Sequence, residues 1–332
     1  MADLASERPL WLRIANFQQR SLSLLRLLPR GQMVLWKLEH WGTETRFERI
    51  PASPGINLTA YADLLLGMGH RVFPYTFTER NRDLLHREVP SLRRTKMAIL
   101  PIAQKTPAAE ATGDTVRSCL GLSDEDTLLD AGGLLHPAKG IDELVDWFAR
   151  TNRDPRMHLL CSLIPDDGQT EADIRRRWTK STGLAAHPRV HVRLSDYSQW
   201  EWMCSFYRAV DVMLVNSVSD SWGRMVSEAL GLGVPTIVRR ADCGTNHIAS
   251  EVVRVDGFAD LGSGEFTRAV GEARGRVPRL ADYVNSHYGI PVVRRHLLEL
   301  LRSHTPADRL DEFDRLSIRP RSVALVDAVL DH

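Results

Sequence analysis

The fold is decided by one segment of the sequence, DVMLVNSVSDSWGRMVSEALGLGVPTIVR, at residues 211–239. The apolar run at 211–215 predicts a buried strand, and a second strand is predicted at 235–239. Between them, residues 223–231 have helical spacing, and a polar loop at 216–223 precedes that helix. Two strands joined through a helix are typical of a parallel sheet whose faces are covered by helices.

The same alternation of strands and helices extends on the amino-terminal side of this segment. Helices of ordinary length between successive strands indicate a parallel, Rossmann-like sheet that is buried on both faces. The predicted strands are 127–130, 157–164 and 190–194, and the predicted helices are 141–150, 171–182 and 200–210.

The rest of the chain is less regular. Residues 104–114, QKTPAAEATGD, are small residues with Pro and Gly, and they predict an interdomain linker. We therefore expect a first domain at 1–112, a Rossmann-like domain at 113–276, and a helical tail at 277–332 that packs back on the first domain. Outside the central domain, strands are predicted at 32–38, 71–75 and 96–102, and helices at 57–68, 79–87, 292–303 and 322–330.

The composition is that of a soluble globular protein. The 332 residues are 43% apolar and 26% charged, which favours two domains, and the net charge of 43 − 42 = +1 argues against nucleic acid as a partner. The four cysteines are scattered without a CxxC pair, which predicts free thiols and no metal site. No signal peptide or membrane span is evident, so we expect a cytoplasmic protein.

A basic and apolar segment, LWLRIANFQQRSLSLLRLLPR, lies at residues 10–30 and contains four arginines and no acidic residue. One interpretation is an amphipathic helix that lies on an anionic membrane surface, which would make the protein peripheral to a membrane. The other interpretation, which we favour, is a helix packed on the core with an arginine-rich outer face.

Two loops that follow predicted strands are suited to phosphate binding. In the first, AGGLLHPAKG at 131–140, Gly132 and Gly133 allow close approach of the backbone, and Lys139 stands just before a helix. The second, NSVSDSWG at 216–223, opens the next helix. In an open α/β sheet, ligands bind outside the carboxyl ends of the strands, where helix N-termini offer free N–H groups.

Two carboxylates accompany the second loop. Asp220 lies in the loop, and Glu228 lies on the helix five residues after Gly223. A carboxylate can accept both vicinal hydroxyls of a ribose, while the helix N-terminus and Lys139 hold a diphosphate. The order of these features favours a nucleotide-binding site.

This order of features resembles the carboxyl-terminal domain of glycosyltransferase family 4. The family has a Gly-Arg-x-x-x-x-Lys-Gly segment, then Tyr and Ala-Asp before a strand. A Ser-x-x-Glu-Gly-Phe-Gly segment follows, with a second Glu eight positions after the first and then Gly-x-Pro. Asp220 and Glu228 keep the eight-residue offset, and the resemblance covers residues 128–248, somewhat over a third of the chain. The corresponding stretches are GGLLHPAKG (132–140), FYRAVDVMLVNS (206–217) and SVSDSWGRMVSEALGLGVP (217–235).

The resemblance implies an α/β protein of the GT-B fold, with two Rossmann-like domains built on parallel sheets and a shortened N-terminal domain. It implies retaining transfer of a sugar from a nucleotide-diphosphate sugar in a cleft between the domains, with no metal and no other cofactor. The acceptor is not identified by the sequence; a small molecule, a lipid-linked glycan and a polymer all stay open.

The resemblance also implies roles for three candidate catalytic residues. Lys139 would bind the donor diphosphate, Glu228 the ribose hydroxyls and Asp220 the donor sugar. Backbone amides near Gly223 and Arg224 would cradle a phosphate, and the loop DCGTNHI aligns with a glycine-containing loop near the nucleotide. The candidate donor-binding residues are Gly132, Gly133, Lys139, Gly223, Arg224, Glu228, Gly244 and Thr245.

The sequence departs from the family pattern within the site. Gly133 stands where the family has an arginine that partners the lysine. Loss of that guanidinium should slow departure of the diphosphate unless another arginine replaces it. Asp220 replaces the first Glu, so its carboxylate reaches less far. The candidate substitutes for the missing arginine are Arg224, Arg239 and Arg240.

The first domain departs further from the family, because only three strands and no glycine-rich loop are evident in it. His40, in KLEHW, is the candidate for a polar group that reaches the donor, and a purely structural histidine is the alternative. These departures favour a second function, a non-catalytic glycosyltransferase-like protein that binds a nucleotide sugar or supports a partner enzyme. Lys139 and Glu228 favour the enzyme. A third reading is another nucleotide-sugar reaction, such as epimerisation.

Overall fold

The computed structural model describes residues 12–15, 19–38, 58–105, 111–164, 170–182, 187–194 and 199–310. These residues form two compact units. The first unit combines the chain up to Ala103 with the chain from Ile290 onward, and the second unit is Gln104–Gly289. His40 and the helix predicted at 322–330 lie outside the described residues.

The strands and helices alternate along most of the described chain. The strands are β1 (Leu12–Ala15), β2 (Met33–Lys37), β3 (Arg71–Thr76), β4 (Ala98–Ile99), β5 (Thr127–Asp130), β6 (Gly133–Leu134), β7 (Met157–Ile164), β8 (Val190–Leu194), β9 (Val212–Val215), β10 (Thr236–Arg239) and β11 (Val253–Val255). The helices are α1 (Gln19–Arg26), α2 (Leu58–Gly67), α3 (Glu79–Glu88), α4 (Asp114–Cys119), α5 (Ile141–Thr151), α6 (Glu171–Thr182), α7 (Trp200–Ala209), α8 (Arg224–Gly231), α9 (Ser263–Tyr288) and α10 (Ile290–His304).

A parallel sheet of four described strands, in the order β1-β2-β3-β4, forms the centre of the first unit. Strand β2 is buried along its whole length, as expected for a central strand of a covered parallel sheet. Trp36 of β2 is fully buried, and its ring lies 6.0 Å from that of Tyr61 on α2. Helix α10 belongs to this unit, where the ring of His304 packs edge-on against Phe73 of β3 at 4.6 Å.

The segment 10–30 does not form the single helix that the sequence predicted. Residues 12–15 form β1, which pairs in parallel with β2, and the helix α1 begins only at Gln19. Strand pairing satisfies the backbone groups of LRIA and outweighs the helical propensity of Leu and Arg. Within α1, Leu22 and Leu25 are buried in the core, whereas Leu24 is exposed. The first unit therefore has four described strands rather than the three that were predicted.

The second unit is built on a parallel sheet of seven described strands. The order is β11-β10-β9-β5-β7-β6, and β8 pairs with β7. Because β5 lies next to β9, their carboxyl ends lie side by side at one edge of the sheet. The two loops that the sequence predicted for phosphate binding both start at this edge.

Side chains alternate between two cores, one on each face of this sheet. Leu129 and Leu159 point into a core with Phe148 of α5, whereas Leu128 and Leu160 point into a second core with α7 and α8. The period of two is that of a strand whose two faces are both covered. Each large apolar side chain fully buried in this way stabilises the fold by about 1.5–3 kcal/mol.

The elements agree with prediction where periodicity is strong and depart where tertiary packing decides. Strand β7 and helix α6 have the predicted bounds, 157–164 and 171–182. Helix α9 instead runs through the predicted domain boundary at 276/277 and contains Pro278 in its interior. Within the described residues, no helix is both long and apolar enough to cross a membrane.

Candidate donor-binding site

The first loop at the sheet edge follows β5 and places Lys139 at the end of a 3-10 turn, Pro137–Lys139. Gly140 comes next with φ of +61°, a conformation that glycine adopts without strain. A Cβ at this position would lie 2.5 Å from Nδ2 of Asn216, the residue that follows β9. Asn216 Nδ2 donates to the carbonyl of Gly140 at 3.0 Å. The loop is therefore fixed to the loop after β9.

Lys139 and Asp220 form a short ion pair across the two loops. Lys139 Nζ lies 2.5 Å from Asp220 Oδ2, and both side chains are about five-sixths buried, at 15% and 16% exposure. The other oxygen, Asp220 Oδ1, accepts hydrogen bonds from the backbone N–H groups of Gly223 and Trp222 at 3.1 and 3.3 Å. One carboxylate therefore closes the turn that precedes α8 and neutralises Lys139 at the same time.

Two glycines allow a third loop, residues 242–248, to pack on this turn before α8. Gly223 has φ of +81°, and a Cβ there would lie 2.7 Å from the Cα of Thr245. The N–H of Gly244 donates to the carbonyl of Asp220 at 2.8 Å. A Cβ on Gly244 would overlap the carbonyl of Ser221. These contacts bring Gly223, Gly244 and Thr245 together as the sequence predicted, and their role in binding stays a prediction.

Arg254 of β11 holds the third loop in place. Its guanidinium and Nε donate to the carbonyls of Asn246, Ala249 and Ser250 at 2.8, 2.9 and 2.7 Å, and to Asn246 Oδ1 at 3.1 Å. An arginine fork matches several carbonyls at once, which a lysine cannot do. No sequence pattern indicated this residue, because its partners are brought to it only by the fold.

Glu228 lies on α8 and is buried, with 6% exposure. Tyr207 of α7, which is fully buried, donates its hydroxyl to Glu228 Oε2 at 2.7 Å. Burial raises the pKa of Glu228 to about 7, although the Tyr207 hydrogen bond, Arg224 and Lys105 act in the opposite direction. Tyr207 matches the family's tyrosine, yet its sequence position alone did not reveal the hydrogen bond.

Gly132 and Gly133 are required by packing at the start of the first loop. A Cβ on Gly132 would overlap Ser162 Oγ of β7 and lie 2.6 Å from Met225 Cε of α8. Gly133 has φ of +122°. A Cβ at this position would lie 3.1 Å from Met225 Sδ. A side chain at this position would adopt a strained backbone. Counted back from Lys139 over four intervening residues, the family's arginine falls on Leu134, so its assignment to Gly133 is wrong.

The candidate substitutes for that arginine have other partners. Arg239 pairs with Glu143 at 3.2 Å, and Arg240 pairs with Asp256 at 2.8 Å. Arg224 is at the first position of α8, one turn before Glu228, and its charge lowers the pKa of that carboxyl. Of the three arginines, Arg224 is thus the one that the structure connects to the predicted site.

Asp130 is a second buried carboxylate that sequence reasoning missed. It ends β5, is 3% exposed, and accepts hydrogen bonds from Ser162 N and Oγ at 3.2 and 2.8 Å. Burial raises the pKa of Asp130 to about 7, although the bonds from Ser162 lower it. An acidic residue at the end of an otherwise apolar strand was the available signal.

We expect Asp130→Asn to stabilise the protein at alkaline pH. The folded wild type holds a proton on Asp130 up to about pH 7, whereas the unfolded chain releases it near the ordinary value of 3.8, so wild-type stability falls as pH rises between them. Asparagine carries no charge and removes this loss. Urea unfolding should show a gain on the order of 2 kcal/mol at alkaline pH that disappears towards about pH 4. An equal change at both pH values would contradict the argument.

The described residues contain no group of three or more His, Cys, Asp or Glu side chains that could hold a metal ion. The four cysteines are unpaired; Cys161, Cys204 and Cys243 are buried, and Cys119 is exposed. The candidate site thus consists of a lysine, two carboxylates and the backbone of three loops.

Part of the chain resembles known proteins in sequence. No protein-family model matches the chain. A D-inositol 3-phosphate glycosyltransferase of Corynebacterium diphtheriae is 28% identical over 138 residues, which are 41% of this chain and 31% of the relative. The match therefore spans less than a third of that relative's length.

Solved structures match over most of the chain. A sucrose-phosphate synthase from Thermosynechococcus elongatus has a TM-score of 0.66 and 17% identity, over 91% of this chain and 75% of that one. The Anabaena protein HepE, in complex with UDP-glucose, has a TM-score of 0.62 and 13% identity, over 88% of this chain and 78% of that one. The chain therefore has the predicted α/β GT-B fold with parallel sheets, and a curated relative that it matches is a glycosyltransferase.

Proposed function

We propose that the protein is a retaining glycosyltransferase that moves a sugar from a nucleotide-diphosphate sugar to an acceptor without a metal ion. One observation carries the proposal: Lys139 and the start of α8 lie together at the carboxyl ends of β5 and β9. The candidate ribose carboxylate, Glu228, lies one turn further along the same helix. Ligands of open α/β sheets bind at such an edge. The glycosyltransferase relative and the UDP-glucose complex of a structural neighbour support the donor class.

In this proposal the donor diphosphate lies at the start of α8, between Lys139 and the loop of Gly244. Negative charge grows on the diphosphate as its bond to the sugar breaks, so the ammonium group and the aligned N–H groups lower the barrier. The acceptor oxygen forms its bond on the face that the diphosphate leaves. Its proton passes to the departing diphosphate, so that no protein base is needed for the atoms to balance.

A second function, nucleotide-sugar binding without transfer, is favoured by the contacts of Asp220. Its carboxylate closes the turn before α8 and pairs with Lys139, so the cation is neutralised within the site. Leu134, which stands where the resembling family has its arginine, leaves Lys139 without a guanidinium to share the diphosphate charge. With only Lys139 and Arg224 to stabilise the departing diphosphate, sugar transfer would be slow. A protein that only binds the nucleotide sugar would need no further positive charge.

The nucleotide and the reaction are tested together in two steps. We expect one of UDP, GDP and ADP to raise the unfolding midpoint, because a ligand that binds only the folded state stabilises it. The purified protein is then incubated with sugars of that nucleotide and cell extract as the source of acceptor. Release of nucleoside diphosphate that is lost in Glu228→Gln supports the enzyme. Binding without release supports the second function, and no shift with any nucleotide contradicts both.

A further inference from the structure

The contact between Tyr207 and Glu228 is set by the protein core and not by solvent. Tyr207 is 1% exposed and Glu228 is 6% exposed, and the two side chains are 2.7 Å apart, from Oη to Oε2. Tyr207 shares its apolar core with Ala229, the neighbour of Glu228 on α8. Because two packed helices fix both ends of the bond, the phenol restricts the rotamers that Glu228 can adopt.

The contact uses only one of the two oxygens of the carboxylate. No described residue donates a hydrogen bond to Glu228 Oε1. An ionised carboxylate accepts about four hydrogen bonds, so about three positions remain for the two hydroxyls of a ribose. The bond from Tyr207 therefore orients the group without exhausting it.

We infer that Tyr207 is a positioning residue for nucleotide binding: its hydroxyl holds the Glu228 carboxylate in the one rotamer that accepts the ribose hydroxyls. Tyr207 acts through Glu228. The inference rests on the proposed function, since it takes Glu228 as the group that meets the ribose.

The charges around Glu228 predict the direction in which loss of Tyr207 should shift the pH dependence of binding. Burial raises the pKa of Glu228 to about 7, while Tyr207, Arg224 on the same helix and Lys105 lower it. Ribose hydroxyls donate to the charged form, so below about pH 7 the ligand must displace a proton from Glu228. Without the phenol, the pKa of Glu228 should rise further, and the pH below which binding weakens should rise with it.

The test is a calorimetric titration of wild type and Tyr207→Phe with UDP, GDP and ADP between about pH 5.5 and pH 8.5. Relative to Glu228→Gln, which reports the titration of the ligand's own phosphate, we expect wild-type affinity to be constant above about pH 7 and to fall about tenfold per pH unit below it, as binding releases the proton of Glu228. For Tyr207→Phe we expect the onset of this loss at higher pH, with affinity near that of wild type once the carboxylate is fully ionised. The substitution removes one hydrogen bond and leaves the buried ring in place, so the variant should fold.

Two controls separate positioning from general damage. Tyr288→Phe removes another buried phenol of the second unit, which donates to the carbonyl of Ile248 at 2.8 Å, and should lower stability without moving the onset. Glu228→Gln cannot titrate at residue 228, so its weaker binding should change with pH only through the terminal phosphate of the ligand, whose second pKa is about 6. Adding Tyr207→Phe should leave that profile unchanged.

The outcomes distinguish the inference from the proposed function. An unchanged onset in Tyr207→Phe, or an equal shift in the Glu228→Gln background, overturns the role of Tyr207 while nucleotide binding stands. If wild type binds none of the three nucleotides at about pH 8, the proposed function fails, and the inference fails with it.

Discussion

Lys139→Met is expected to weaken binding of the nucleoside diphosphate about tenfold to a hundredfold and to abolish measurable sugar transfer. A charge-assisted hydrogen bond contributes about 1.5–3 kcal/mol, and methionine keeps the length of the side chain without its charge. The loss should be largest at low salt, since the missing attraction is electrostatic. Calorimetry with UDP, GDP or ADP and an assay of diphosphate release measure the two effects.

Asp220→Asn provides the matched variant, with the opposite sign for binding. The amide oxygen can still accept from the N–H of Gly223, but Lys139 is no longer neutralised at 2.5 Å. We therefore expect the nucleoside diphosphate to bind about threefold to tenfold more tightly. Transfer should nevertheless fall, if Asp220 contacts the donor sugar as the family resemblance implies.

Asp256→Asn is the control for this pair, because it removes the same charge from an exposed ion pair with Arg240. It should leave nucleotide affinity unchanged. Equal affinity in wild type and Lys139→Met, or weaker diphosphate binding in Asp220→Asn, would contradict the assignment of Lys139 to the diphosphate. Circular dichroism confirms that each variant is folded before affinities are compared.

Gly244→Ala is expected to destabilise the protein by about 2–4 kcal/mol and to abolish nucleotide binding. The added methyl group would overlap the carbonyl of Ser221 and lie 2.5 Å from the backbone N of Trp222. Backbone atoms cannot rotate away as a side chain can, so the loop of residues 242–248 must move away from the turn that precedes α8. The hydrogen bond from Gly244 N to the Asp220 carbonyl would be lost with it.

Gly271→Ala is the matched control for this substitution. Gly271 lies in α9, is exposed, and has no atom within 4 Å of a would-be Cβ. Alanine should therefore stabilise the helix by about 1 kcal/mol and leave binding unchanged. Urea unfolding and nucleotide titration measure both variants, and Gly244→Ala with wild-type stability would show that the three loops are not packed as described.

The second unit could be predicted from the sequence because its elements have strong periodicity. The apolar runs of β7 and β9 and the helical spacing of α5 each indicate one structure without help from the rest of the chain. The segment 12–15 could not be predicted in this way. LRIA is compatible with a helix, and only its partner β2 makes it a strand.

The site could be predicted only where a residue's own neighbours in the sequence carry the signal. Lys139 and Gly223 stand at helix starts, which the sequence marks. Tyr207 and Arg254 act on partners that are distant along the chain, such as Glu228, and no spacing rule connects them. The positive φ of Gly133 was also hidden, because its neighbours in the sequence do not show that the backbone requires glycine there.

The contacts among the three loops at the sheet edge limit how this protein can evolve. At Gly223 and Gly244 the loops contact each other, and at Gly132 the first loop contacts Ser162 of β7 and Met225 of α8; none of the three positions leaves room for a methyl group. In a random mutant library selected for binding of any nucleotide, nearly all variants with a substitution at these glycines should therefore be lost. New donor preferences must arise from side chains around the loops, and an engineer would diversify those and leave the glycines untouched.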